Sequence, residues 1–171
     1  MSRQNVLGIK VYGASVLRQK SANVKKMDKD ILTLIDAMAL IMYENKGIGL
    51  AAPQIGVAKR VIVADTGEGR GLTVLINPKI VWSEGSETKQ EGCLSFPGIY
   101  LDIKRPKKVI VEGLDRRGGR VRMDADGLLA RVLQHEIDHV DGVLMVDRVG
   151  KKALKGIKKE LENLKKSSSA R

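Results

Sequence analysis

The feature that most constrains this chain is the segment His135-Glu136-Ile137-Asp138-His139, which contains the only two histidines of its 171 residues. On an α-helix, residues four apart are separated by about 40° around the axis, so both imidazoles project from one face. Two ring nitrogens at this spacing can reach one metal ion, and Glu136 can transfer a proton beside it. The segment therefore predicts a helix that carries a catalytic metal site.

A two-histidine helix needs a third protein ligand if one coordination position is to stay open for water. Metalloproteases with this motif usually take that ligand from residues beyond the second histidine. Here no histidine follows His139, and the carboxylates beyond it lie in no recognisable ligand motif. Upstream, the single cysteine, Cys93, follows Gly92, a residue that permits a tight turn or a close approach. We therefore expect Cys93, His135 and His139 to hold one divalent ion.

Three blocks of sequence occur along the chain in a fixed order. They are Gly47-Ile48-Gly49-Leu50-Ala51-Ala52-Pro53-Gln54, Glu91-Gly92-Cys93-Leu94-Ser95 and Gln134-His135-Glu136-Ile137-Asp138-His139. Together with the segment Asp126-Gly127-Leu128-Leu129-Ala130 before the third block, they resemble the three motifs of the peptide deformylase family. The resemblance extends from about Val11 to about Asp147, which is most of the chain.

This resemblance implies a metal-dependent hydrolase that removes the N-formyl group from the terminal methionine of new polypeptides and releases formate. It implies that Glu136 takes the proton of the attacking water and returns it to the departing amine. It also assigns stabilisation of the developing oxyanion to the side-chain amide of Gln54 and the backbone N–H of Leu94. Substrate contacts are expected from residues in or near the three motifs: Gly47, Ile48, Gly49, Leu94 and Val132.

The identity of the metal is left open by the ligand types, because mixed cysteine and histidine sites accept several divalent ions. Ligand chemistry by itself favours Zn²⁺. The family resemblance instead implies Fe²⁺, which Ni²⁺ or Co²⁺ could replace.

Two residues depart from the family pattern. Tyr100 stands where some bacterial relatives have an arginine that contacts the substrate backbone, and Arg131 stands where a pocket residue is often apolar. We expect the aliphatic stem of Arg131 to pack inside while its guanidinium reaches the rim of the pocket.

The predicted fold class is α+β, with antiparallel β-strands packed around a central metal-binding helix, an N-terminal helix and a basic C-terminal helix. The N-terminal helix is predicted near 28–45, with Asp28 as its cap. Alternating apolar segments predict five short strands, at 60–64, 73–76, 79–82, 108–111 and 119–123. Residues 1–171 are expected to form a single catalytic domain, with the basic helix at about 150–166 and a frayed tail at 167–171.

The net charge of +11 predicts attraction to polyanions. Aromatic residues make up only 3% of the chain, which leaves little for base stacking, so no sequence-specific nucleic-acid recognition is expected. For a deformylase-like enzyme, the relevant polyanion is the ribosome, bound electrostatically through the lysines of the C-terminal helix. The alternative is that these lysines only provide solubilising charge.

The remaining composition predicts a cytoplasmic protein without a membrane segment. A single cysteine cannot form an intrachain disulfide, and the first residues begin no long apolar stretch.

Two other classes of protein could contain the same helix. A zincin-like metallopeptidase would cleave internal peptide bonds, but it would normally need its third ligand downstream of His139. A non-enzymatic, metal-stapled RNA-binding module would require a closed four-ligand site and would leave Glu136 and Gln54 without a role.

Overall fold

The structure is a computed structural model of the chain, and it describes residues 8–169. Four α-helices occur in this part of the chain: α1 (Lys29–Glu44), α2 (Gly127–Val140), α3 (Lys151–Gly156) and α4 (Lys158–Ser169). Seven β-strands accompany them: β1 (Gly49–Ala51), β2 (Val61–Ala64), β3 (Thr73–Glu84), β4 (Glu87–Gly92), β5 (Tyr100–Arg105), β6 (Lys108–Leu114) and β7 (Arg120–Asp126). The predicted α+β class is confirmed.

The strands form two antiparallel sheets. The larger sheet has the order β1-β2-β3-β6-β7, and the smaller one consists of β4 and β5. The first strand, β1, therefore lies at an edge of the larger sheet. Strand β4 is an edge strand of the smaller sheet. Residues of β1 and β4 line the same cavity, so the edges of both sheets help to form it.

The larger sheet is covered on both faces, with α1 on one side and α2 on the other. In β2, Val61 and Val63 pack with α1, whereas Ile62 packs with α2. Successive side chains of a strand point to opposite faces, and all four residues of β2 are buried because each face carries a helix.

Helix α1 begins and ends where the sequence predicts. The Asp28 side chain accepts a hydrogen bond from the Ile31 N–H at 3.1 Å, which satisfies one of the free donors at the helix start. At the other end, the backbone N–H and the side-chain amide of Asn45 both donate to the Ile41 carbonyl.

The strand prediction needs three corrections. The segments at 73–76 and 79–82 belong to one strand, β3, with a register shift between Ile76 and Lys79. Asn77 lies at this shift with a φ of +53°, and its side chain exchanges two hydrogen bonds with the Val24 backbone. The strands β6 and β7 each extend three residues further than predicted. The strands β1, β4 and β5 were missed. Strand β1 has only three residues and β4 is polar, so neither shows an apolar alternation, whereas β5 does alternate, with Leu101 and Ile103 buried between exposed residues.

Helix α2 lies at the centre of the molecule, and twelve of its fourteen residues are buried. Its apolar side, which includes Leu133 and Ile137, packs on the larger sheet. Its polar side faces the smaller sheet and the segment after β4. This second side carries both histidines, so a helix buried all round holds ionisable groups in the interior.

The C-terminal segment forms two helices rather than the single one predicted at 150–166, with Ile157 between them. Helix α4 continues to Ser169, so residues 167–169 are helical where a frayed tail was predicted, and residues 170–171 lie outside the described part. An apolar stripe packs against a core cluster that includes Leu17 and Phe96, and its members are Leu154, Ile157, Leu161 and Leu164. In residues 8–169, no helix is both long and apolar enough to cross a membrane.

Candidate active site

A cavity of about 930 Å³ opens between the end of α1, the strands β1 and β4, and helix α2. All the residues predicted to contact substrate line it: Gly47, Ile48, Gly49, Leu94 and Val132. Cys93, Gln54, His135 and Glu136 line the same cavity, and His139 lies behind them at 1% exposure. The three sequence blocks, which are far apart along the chain, therefore meet at one place.

The three predicted metal ligands form one compact group. The Cys93 Sγ lies 3.2 Å from the Nε2 of His139, which in turn lies 3.3 Å from the Nε2 of His135. All three atoms lie within 4.8 Å of one another. Two imidazole nitrogens and a sulfur that face one another at these distances offer electron pairs to one point, which a divalent cation can satisfy. The residues present therefore fit a metal ion.

Glu91 orients the first histidine. Its Oε2 lies 3.0 Å from His135 Nδ1, on the side of the ring opposite Nε2. Arg105 donates two hydrogen bonds to the same carboxylate, at 2.6 and 3.0 Å. Burial acts to raise the pKa of Glu91, but the hydrogen bonds from His135 and Arg105 outweigh it and lower the pKa to about 2. An ionised Glu91 accepts the Nδ1–H, which leaves Nε2 free to bind a metal.

Arg105 and Arg131 continue this buried network. Arg105 also donates to Asp138 Oδ2 at 2.8 Å, and Arg148 donates to both carboxylate oxygens of Asp138. Arg131 donates to Glu91 at 2.6 Å and to the Ile103 carbonyl at 3.0 Å. The guanidinium of Arg131 therefore ties α2 to the smaller sheet, and Arg131 also lines the cavity.

The sequence analysis did not assign roles to Glu91, Arg105 or Asp138. Glu91 and Asp138 belong to the quoted motifs, so their position beside the ligands was a usable signal. Nothing in the sequence marks Arg105, because its contacts depend on how β5 packs against α2.

Gln54 is held with its amide facing the metal ligands. Its Oε1 accepts a hydrogen bond from the Ala51 N–H at 2.8 Å, which directs Nε2 toward Ser95 Oγ at 3.3 Å and Cys93 Sγ at 3.5 Å. The side chain is 1% exposed. A fixed, buried amide donor of this kind can stabilise negative charge that develops on a nearby oxygen.

Gly49 is required by the close approach of β1 to α2. A Cβ atom at this position would lie 2.5 Å from Glu136 Oε1 and 2.7 Å from Val132 Cγ1. No side chain fits there without displacing Glu136. The glycine therefore lets the sheet edge lie directly against the carboxylate.

The ionisable groups of the site influence one another strongly. Burial raises the pKa of Glu136 to about 7, against the opposing charges of His135 and Arg105. Burial and the neighbouring His135 lower the pKa of His139 well below its usual value. Burial acts in the same direction on His135, but Cys93 and Glu91 outweigh it and raise the pKa of His135. The three ligand atoms therefore favour one positive charge between them. A proton and a metal ion compete for that position.

The chain is similar in sequence to members of one known family. The family model described as polypeptide deformylase matches residues 6–155. The peptide deformylase of Halothermothrix orenii is 53% identical over 144 residues, which are 84% of this chain and 94% of that protein. That of Thermodesulfovibrio yellowstonii is 50% identical over 147 residues, which are 84% and 89% of the two chains.

Solved structures agree over almost the whole chain. The peptide deformylase from Thermus thermophilus superposes with a TM-score of 0.89 at 39% identity, covering 95% of this chain and 99% of that one. The one from Legionella pneumophila gives a TM-score of 0.87 at 40% identity, covering 95% and 97%. The chain is thus similar to these proteins in sequence over most of its length and in fold over almost all of it.

Proposed function

The chain belongs to the polypeptide deformylase family, and from this premise we propose which of its residues carry out the family's reaction. The protein is a hydrolase that removes the N-formyl group from newly made polypeptides, as the sequence analysis predicted. The peptidase and RNA-binding alternatives receive no support from the comparisons. The residue assignment rests on one observation: Cys93, His135 and His139 form a single cluster beside the cavity that Glu136 lines.

The proposed metal ligands are Cys93 Sγ and the Nε2 atoms of His135 and His139, which would hold one divalent ion per chain. When bound, such an ion polarises water and lowers its pKa toward neutrality, which generates a nucleophile. Fe²⁺ is our proposed ion, and Zn²⁺, Ni²⁺ and Co²⁺ suit the same ligands. Metal analysis of anaerobically purified protein, paired with activity, distinguishes them.

Glu136 is the proposed proton carrier. Its carboxylate takes a proton from the attacking water and returns it to the amine that leaves when the formyl C–N bond breaks. A pKa raised to about 7 by burial supports both steps, because the group can accept and donate protons near neutral pH. The products are formate and a polypeptide with a free amino terminus.

Two donors are proposed to stabilise the oxyanion that forms on the formyl oxygen. One is the Gln54 Nε2 amide, held in place by Ala51. The other is the Leu94 N–H, which has no hydrogen-bond acceptor among residues 8–169. Preorganised donors of this kind stabilise developing charge without reorganising during the reaction.

The substrate methionine is proposed to lie among Ile48, Leu94 and Val132, which line the cavity next to the reacting centre. Gly47 and Gly49 let an extended peptide backbone approach the edge of β1, where an added strand can form main-chain hydrogen bonds.

Comparing formyl-Met peptides with unblocked peptides tests this function directly, and only the formylated peptides should be hydrolysed. Formyl-norleucine peptides should also react, since norleucine differs from methionine only by a methylene in place of sulfur, and an apolar pocket discriminates a methylene-sized change by only about 1–3 kcal/mol. Equal rates for formyl-Gly and formyl-Met peptides would contradict the methionine pocket.

We further propose that residues 1–171 form one catalytic domain, that the protein acts in the cytoplasm and that it associates electrostatically with ribosomes. The family match over residues 6–155 and the packing of the apolar stripe of α3 and α4 on the core support the single domain. The exposed lysines of these helices support the association with ribosomal RNA. The single cysteine, proposed as a metal-binding thiolate, suits a reducing compartment.

A further inference from the structure

A second groove, of about 420 Å³, continues from the active-site cavity along the smaller sheet. The two share Gln90 and Tyr100 in their linings, so they meet at the end of β4. One wall of the groove is the outer face of β4 and β5. The other wall is formed by residues 148–150 and by Ala153 of α3.

The outer face of the smaller sheet forms a continuous track that leads away from the site. Its cross-strand pairs are Gly92 with Tyr100, Gln90 with Asp102, and Thr88 with Lys104. All six residues are exposed, whereas Glu91, on the opposite face, is buried beside His135. Because a strand rises about 3.3 Å per residue, the track is about 13 Å long from Gly92 to Thr88, enough for about four residues of extended peptide.

Within the described part of the chain, the polar side chains along this track have no side-chain hydrogen-bond or ion-pair partner. Thr88, Gln90, Asp102 and Lys104 make no side-chain hydrogen bond or ion pair with any other residue in the described range 8–169. Together they offer hydrogen-bond donors and acceptors, and the opposite charges of Asp102 and Lys104 leave no strong preference for one sign of charge. Such a surface suits the backbone of a polypeptide of mixed sequence.

Tyr100 connects the cavity to the track. Its side chain is 63% exposed, and its ring covers Gly92, where a Cβ atom would lie 2.8 Å from Tyr100 Cε1. The glycine therefore lets an aromatic ring lie against β4 where the cavity and the groove meet. A peptide that leaves the cavity at this point meets the ring first and the polar track next.

We propose that this groove binds the downstream residues of the nascent polypeptide while its formyl end lies at Cys93 and Glu136. The inference rests on the proposed function, because it is that function which places the formyl end beside the proposed metal ligands. The groove is thus an extension of the substrate site for an unfolded chain. It acts mainly through binding, since it contacts only non-reacting parts of the substrate.

The test compares a formyl-Met-Ala-Ser tripeptide with the same peptide lengthened to a heptapeptide by serine and glycine. For the native, metal-loaded protein, kcat/KM should be about three- to tenfold higher for the heptapeptide, the gain expected from one or two net hydrogen bonds. The gain should appear in KM, as expected for uniform binding. Ala153→Trp and Thr88→Trp, which block the groove from its two walls, should abolish the gain and leave tripeptide turnover unchanged.

Gly156→Trp is the matched control on the same helix, because Gly156 lies outside the groove and a Cβ there contacts nothing within 4 Å. This variant should keep the full gain with length. The proposal is overturned if the native protein shows no gain, or if the gain persists in both blocking variants. Failure of the native protein to hydrolyse even the tripeptide would instead contradict the proposed function.

Discussion

At the scale of single residues, the site depends on a carboxylate that is buried but free to exchange a proton. The Glu136→Gln variant should keep its metal and lose most of its turnover, about 100- to 10,000-fold, because an amide cannot accept the proton of water. Steady-state kinetics together with metal content per chain provide the measurement. Turnover near that of the native protein in a fully metal-loaded variant would remove Glu136 from the mechanism.

A second residue, Glu91, should affect metal affinity although it is not a proposed ligand. Glu91→Gln removes the charge that Arg105 and Arg131 share and weakens the orientation of His135. We expect the free energy of unfolding to fall by about 3 kcal/mol, as when one partner of a buried ion pair is removed. Metal affinity should fall by about 10- to 100-fold, as for other groups that orient a ligand.

The matched control for Glu91→Gln is Glu87→Gln on the same strand. The Glu87 carboxylate pairs with Lys89 at the surface. Loss of an exposed pair changes stability by less than about 1 kcal/mol. Denaturant unfolding and metal titration of both variants give the comparison. Similar effects for the two would mean that the buried network does not orient His135.

At the scale of elements, the contact between β1 and α2 sets the position of the proton carrier. Gly49→Ala should lower kcat/KM by about 100-fold, since a displacement of about 1 Å at a reacting group can cost this much. Gly156→Ala, where a Cβ meets nothing within 4 Å, is the control. A Gly49→Ala protein with unchanged kinetics would show that the strand can move away from Glu136 at no cost.

In helices α3 and α4, the apolar stripe packs on the core and the lysines are exposed. The charge of these helices can therefore be changed without changing their packing. Replacing five exposed lysines of these helices with glutamine should weaken ribosome binding and leave peptide hydrolysis unchanged. They are Lys151, Lys152, Lys155, Lys158 and Lys159. For a duplex-like partner, the salt slope should decrease by about 0.9 for each phosphate that a lysine no longer neutralises.

Co-sedimentation with ribosomes across a salt series measures this effect. The control replaces five exposed lysines elsewhere, namely Lys25, Lys26, Lys29, Lys107 and Lys108. If both variants lose binding equally, net charge rather than the C-terminal helices attracts the ribosome.

At the scale of the whole molecule, the metal should link segments that are distant in sequence. The ligands come from α2 and from the turn after β4, so an ion bound only by the folded state stabilises the packing between them. At a metal concentration of 100 times Kd, this linkage contributes about 2.7 kcal/mol, so chelation should lower Tm by about 5–10 °C. Calorimetry with and without chelator tests this, and Cys93→Ser, which lacks the thiolate ligand, should show little shift.

The sequence by itself determined the chemistry of the site and the periodic elements. Residues within one motif keep their spacing in any helix, so His135, Glu136 and His139 could be assigned before any fold was known. The cap at Asp28 and the apolar face of α1 were predictable for the same reason, since both depend on neighbours along the chain. The single cysteine left few choices for the third ligand.

Only the tertiary structure decided which groups surround these ligands. Arg105 reaches Glu91 and Asp138 because β5 pairs with β4 and both pack beside α2, and neither contact has a local signature. The inward direction of Arg131 and the existence of β1 and β4 depend on the same packing. A motif fixes the relative placement of residues a few positions apart, whereas a buried charge finds its partner only where separate elements meet, and that meeting is set by the burial of the whole core.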